Sequence, residues 1–241
     1  MAKKSGNSSA DNGRIEILWD EIFESLENWR KEKLSAPGEE DTAVTTIAEE
    51  FEEGAGKPWA ILVSTIVSLR TKDEVTRLAS RRLLEKAPGP AQLLELGVQE
   101  VARLSYPAGF YRTKAESLIK ISTILLKKYN GHVPADMDAL LALPGVGRKT
   151  ANLVITEAFG MDGICVDIHV HRISNRAGWV NTPEPNKTED ALREKLPLKY
   201  WRIINNLLVL YGQNLCRPQS PFCSRCVIKR HCLRLGVDKS R

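Results

Sequence analysis

Apolar side chains recur at steps of three and four along nearly the whole chain, and the alternation expected of strands is almost absent, so the pattern predicts an all-α protein. Ile15, Leu18, Trp19, Ile22, Phe23, Leu26 and Trp29 share one face of a predicted helix over Ile15 to Trp29, and that face must be buried against the rest of the molecule. Pro37-Gly38 closes this region. Further helices are predicted over Thr42–Glu52, Pro58–Leu69, Lys72–Lys86, Ala91–Leu96, Gln99–Ser105, Arg112–Tyr129, Asp136–Leu141, Arg148–Phe159, Ile168–Ala177, Glu189–Glu194 and Lys199–Tyr211, with Gly or Pro at nearly every junction. The longest apolar stretch, Ala60 to Leu69, is broken by Ser64, Thr65 and Ser68 and falls well short of the roughly 20 residues a membrane span needs. A soluble protein without a membrane partner is expected. Met1 to Gly13 has neither an apolar stretch nor an Arg-rich amphipathic pattern, and reads as a flexible tail rather than a signal or transit peptide.

Composition adds that the chain is globular: 241 residues, 42% hydrophobic and 27% charged, can bury one large core or two modest ones, which excludes a disordered or fibrous protein. The formal charge of +5 conceals a polarity. Arg14 to Glu53 holds 13 acidic and 4 basic residues, a net −9, whereas Arg193 to Arg241 holds 11 basic and 2 acidic ones, a net +9. A basic end suits a polyanion, nucleic acid first, although the two ends could also lie together and partly neutralise.

Cys216, Cys223, Cys226 and Cys232 are spaced C-x6-C-x2-C-x5-C. Two disulfides would use an even number of thiols, but this is not a small secreted scaffold. Zinc sites usually pair two short-spaced couples, and only one is present here, so four thiolates around a four-iron, four-sulfur core fit the spacing better than zinc, which stays open. Arg217, Arg225, Lys229 and Arg230 interleave with these cysteines and could grip phosphates. Cys165, in an apolar run, reads as a small buried hydrophobe.

Leu143-Pro144-Gly145-Val146-Gly147-Arg148-Lys149-Thr150 joins two predicted helices. Gly145 and Gly147 permit a tight turn and leave the N–H groups of the second helix unobstructed, an arrangement that receives a phosphate, with Arg148 beside it. Lys149 falls in the first turn of that helix, where the macrodipole disfavours a cation. It could be a phosphate-binding lysine or, when neutral, a nucleophile forming a Schiff base. The second helix climbs about 18 Å over its twelve residues, and the chain turns at Gly160 and Asp162-Gly163, so Asp167 can return to the hairpin. Asp167 is an expected N-cap of the helix from Ile168, and a capping carboxylate can also stabilise oxocarbenium character in a sugar losing its base.

LPGVGRKTA, the aspartate of VDIHVHR and the cysteine segment, in that order, resemble the endonuclease III branch of the helix-hairpin-helix DNA glycosylases over about Thr42 to Cys232. The resemblance implies a two-lobed all-α fold: a six-helix domain over 50–162, and an iron-sulfur domain built from 14–49 and 163–241 that holds one 4Fe-4S cluster on the four cysteines. It further implies a bifunctional glycosylase and abasic-site lyase that extrudes a damaged, oxidised pyrimidine from double-stranded DNA, with Lys149 attacking the sugar and Asp167 assisting. A monomer is expected, in the cytoplasm with the nucleoid if the source is prokaryotic. In the family a turn matching Ser68 to Asp73 fills the gap left by the extruded base, and Arg70 stands where most relatives carry glutamine. Arginine offers a planar fork suited to guanine, so a thymine or uracil glycosylase acting opposite guanine is the nearest rival. Phe110, in Gly109-Phe110-Tyr111, matches the second wedge, His169 matches the family's aspartate-x-histidine pattern, and Leu141 replaces an acidic residue some relatives hold near the base pocket. A non-catalytic DNA-binding protein with zinc is the alternative of a different class.

Overall fold

A computed structural model describes residues 17–51 and 56–241. Among the described residues the chain forms eleven α-helices and three 3₁₀ turns, without a strand. The helices are α1 (Trp19–Ser35), α2 (Ala43–Glu50), α3 (Gly56–Ser68), α4 (Asp73–Lys86), α5 (Pro90–Ser105), α6 (Tyr111–Tyr129), α7 (Met137–Leu141), α8 (Arg148–Phe159), α9 (Ile168–Ala177), α10 (Pro185–Lys195) and α11 (Ile204–Asn214). The start of the first predicted helix and the expected tail lie outside the described residues. α1 runs past Trp29 to Ser35, burying Ile22, Phe23 and Leu26. α5 is interrupted at Gly97, whose φ of 73° leaves the helical region, so its two pieces correspond to the two predicted segments. α10 starts earlier than expected because Pro185 occupies the first helical position, where its missing N–H costs nothing. The single helix expected over Lys199 to Tyr211 is instead a 3₁₀ turn, Leu198–Tyr200, followed by α11. Tertiary contacts hold that turn: Tyr200 stacks on Phe23 at 3.9 Å and donates to Asp20, and the Trp201 indole donates to the Leu196 carbonyl.

Two cores organise these elements. α2 to α8 enclose an aliphatic core around α3, which is buried on all sides from Trp59 to Val67. The second core gathers α1, α9, α10 and α11 around Trp179, Tyr211 and Phe23. The expected boundary therefore moves: Val44, Ile47 and Ala48 of α2 pack into the first core, so the division falls between α1 and α2 and not after residue 49. An extended segment carries the chain from one core to the other. Along it Cys165 faces the first core while Ile164 and Val166 face the second, the two-residue periodicity sorting side chains between lobes. No described helix is long and apolar enough to cross a membrane.

Candidate catalytic cleft and cysteine cavity

The turn between α7 and α8 is anchored by Leu140, Leu143 and Val146 in the first core. Asp136 caps α7, accepting from the Ala139 N–H at 2.8 Å. Gly145 has φ +80°, a conformation that favours glycine, whereas Gly147 is extended and a side chain there would meet only open space. No side chain caps α8, so the N–H groups of its first turn face that opening. Arg148, expected beside the hairpin as a DNA contact, also pairs within the protein. Its Nε lies 3.0 Å from Glu189 and its Nη2 2.8 Å from Asp190, both on α10, and Glu189 also takes Arg193. The guanidinium fastens the hairpin to the second lobe.

Lys149 and Asp167 line one open cleft between the lobes, with about 1290 Å³ of empty space. Lys149 is half-buried, and its carbonyl accepts from the Cys165 thiol. Asp167 is buried, and its Oδ1 accepts from the N–H groups of His169 and Val170, both at 2.8 Å, capping α9. Among the described residues neither side chain joins an ion pair, and Asp167 Oδ2 has no hydrogen-bond partner in the protein. His169 faces the same cleft; burial pushes its pKa down, against the opposing pull of Asp167, and its Nδ1 lies 3.2 Å from Arg172. Gly212 makes room for that ring, since a side chain there would strike Nδ1.

Arg70, also on the cleft wall, is exposed with φ +55°, and Phe110, 58% exposed with φ +56°, immediately precedes α6. The Arg70 guanidinium stacks over the Phe110 ring at 4.5 Å. Leu141 is not part of the cleft lining. Sequence reasoning missed Thr42, Asn205 and the pair Asp73 and Gln213, which hydrogen-bond across the cleft at 3.1 Å. Thr42, Asn205 and Gln213 are single polar residues that no motif marks, and Asp73 enters the sequence reading only as the end of the Ser68–Asp73 turn.

The four clustered cysteines ring a cavity with about 340 Å³ of empty space, closed by Tyr211, Leu215 and Phe222. Among the described residues no set of three His, Cys, Asp or Glu side chains is placed to hold a single metal ion. Four thiols around a common hollow supply the all-sulfur donor set that a four-iron, four-sulfur core takes. Arg176 donates to the Cys216 sulfur at 3.1 Å and the Tyr211 hydroxyl to the Cys226 sulfur at 3.2 Å, as donors do beside thiolate ligands. Arg172 donates to the Cys216 carbonyl, so α9 carries Asp167 at one end and braces the cysteine loop toward the other. Asp20 pairs with Lys199, and Glu21 lies 3.3 Å from the His231 ring, so the acidic and basic ends of the chain do meet. Among the described residues Arg217, Arg225, Lys229 and Arg230 form no ion pair; Arg217 and Arg225 stack on Phe222.

Residues 63–198 match the HhH-GPD superfamily base excision DNA repair protein family. The chain is 46% identical over 175 residues to Endonuclease III of Thermotoga maritima, covering 73% of this chain and 82% of that one. It is 37% identical over 223 residues to the chloroplastic Endonuclease III homolog 1 of Arabidopsis thaliana, covering 89% of this chain and 58% of that one. Among solved structures it is similar to a trapped endonuclease III–DNA covalent intermediate with an estranged adenine, with a TM-score of 0.74 at 30% identity, covering 91% of this chain and 97% of that one.

Proposed function

Because this chain belongs to the HhH-GPD superfamily of base excision DNA repair proteins, in its endonuclease III branch, we propose that it is a bifunctional DNA glycosylase and abasic-site lyase removing oxidised pyrimidines from double-stranded DNA. The observation that carries this reading is that Lys149 and Asp167, brought from separate elements, face one cleft. The damaged nucleotide is extruded into that cleft, at a cost of about a few kcal/mol that falls for a lesion. The Lys149 amine attacks the sugar C1′ as the C1′–N bond breaks, and the base leaves with the bonding electrons and takes up a proton. Asp167, its Oδ1 fixed by two N–H groups and its Oδ2 without a partner among the described residues, stabilises positive charge on the sugar and accepts the lysine proton. Ring opening gives the imine. Loss of a C2′ proton then expels the 3′ phosphate, which stays as the 5′ phosphate of one fragment, and water hydrolyses the unsaturated imine on the other, releasing an unsaturated aldehyde and the free Lys149 amine.

Cys216, Cys223, Cys226 and Cys232 would hold one 4Fe-4S cluster, which when bound cross-links the loop that carries the unpaired arginines and Lys229. Those cations, with the open first turn of α8 at Gly145 and Gly147, provide the phosphate contacts. Duplexes carrying oxidised pyrimidines, or thymine or uracil opposite guanine, test the reading by product analysis. Release of oxidised pyrimidine with the β-elimination fragment supports it. Release confined to the guanine mismatches replaces the substrate class, and retention of every base rejects a glycosylase.

A further inference from the structure

Lys114 of α6 is a buried cation without a carboxylate partner among the described residues, only 6% exposed. Its Nζ donates to the Val67 carbonyl, in the last turn of α3, at 2.6 Å, and to the Thr71 hydroxyl at 2.8 Å. A cation at that helix end is favoured by the macrodipole. The Thr71 hydroxyl is used to capacity: it donates to the Leu69 carbonyl at 3.3 Å and accepts from both Lys114 and the Gly109 N–H, the latter at 3.0 Å. Gly109 has no side chain to spare, because a Cβ there would collide with the Arg70 carbonyl oxygen. Directly beyond these bonds, the Arg70 guanidinium lies on the Phe110 ring, and both residues hold the left-handed conformation that non-glycine residues rarely adopt. Burial pushes the Lys114 ammonium down to about 8, so the protein keeps this group at a cost.

We propose that Lys114 is a positioning residue that binds the turn bearing Arg70 and the loop bearing Phe110 into one body, so that the two side chains enter the duplex together and set the preference for the base opposite the lesion. The inference rests on the glycosylase-lyase reading only in that these loops meet DNA. The alternative arrangement, two loops moving separately, would leave the Lys114 contacts without consequence for base reading.

Lys114→Met keeps the length of the side chain and removes its donors, and Thr71→Val removes the shared hydroxyl while leaving the ammonium. The full chain is mixed with duplexes that carry an abasic site opposite each of the four bases or opposite 2-aminopurine, and with a single-stranded abasic oligonucleotide as the control for the chemistry. Both variants are expected to lose at least fivefold of the 2-aminopurine fluorescence rise, and to compress the ratio of single-turnover lyase rates between best and worst opposite bases to within twofold. Borohydride trapping on the single strand should stay within twofold of wild type. Adding K114M to Arg70→Ala should cost no further selectivity. Wild-type fluorescence and base ratios in both variants would overturn the proposal, as would a parallel loss on single strand and duplex, which marks a general folding role. Should K114M fail to fold, T71V alone decides between these outcomes. A wild-type protein that traps no single-stranded abasic DNA rejects the lyase reading instead, and the fluorescence arm still judges Lys114.

Discussion

The two lobes that meet at the cleft are stabilised in different ways. The first is aliphatic and built from consecutive helices, with α3 as an apolar axis from Trp59 to Val67, so its core closes without help from distant parts of the chain. The second joins α1 to segments beyond residue 163 and relies on aromatic pairs: Phe23 on Tyr200, Trp19 against Trp179, and Trp29 edge-on to Tyr211. Tyr211 then donates to Cys226, which makes the cysteine cavity an extension of that core. The lobe that supplies Lys149 takes its buried core from one continuous stretch of chain. On the proposed cluster reading, the lobe that supplies Asp167 depends on what its thiols hold, and α9 links the thiols to the cleft through Arg172 and Arg176.

The largest predicted effect would break this contrast outright. Cys226→Ala should unfold the second lobe alone, with amides of α1, α9 and α11 losing hydrogen-exchange protection by several kcal/mol while those of α3 and α6 keep it, on the order of magnitude by which metal ligation supports small domains. Uniform loss across both lobes would make the contrast wrong. Asp167→Asn comes next. Asparagine caps a helix as well as aspartate, so melting should hardly change while the single-turnover rate falls about 10²- to 10⁴-fold; a normal rate would remove the carboxylate from the chemistry. Asp167→Ala should add a stability loss of about 1 kcal/mol, read by denaturant titration, because the two N–H bonds to Oδ1 go as well.

The smallest effect concerns pH. Lys114 has its folded-state value lowered to about 8, so folding carries a penalty below pH 8 that disappears as pH rises toward the ordinary lysine value. Wild type should therefore gain stability relative to Lys114→Met between pH 8 and 10. A constant difference in melting temperature across that range would contradict the burial cost.

Much of this contrast was legible in the sequence, and what was hidden has a physical pattern. Periodicity located the helices because amphipathic faces must be buried, and Asp136 and Asp167 marked helix starts because their side chains satisfy first-turn N–H groups. Spacing brought the four cysteines together. Nothing local announces that Glu189 and Asp190, 41 and 42 residues away, return to meet the Arg148 side chain. The membership of α2 was misread for a similar reason: its apolar face fits either lobe until α3 is seen beside it. Lys114 was passed over as one lysine on a helix, although it lies beneath both loops that the resemblance singled out.

In the proposed mechanism one particular amine in the cleft becomes covalently attached to the sugar. Borohydride reduction of the complex with abasic DNA, followed by proteolysis and mass spectrometry of the cross-linked peptide, tests it most directly. A single modified peptide from the start of α8 with the sugar on Lys149 is expected, and no adduct from Lys149→Ala. A cross-link on any other amine, or undiminished trapping by that variant, would contradict it.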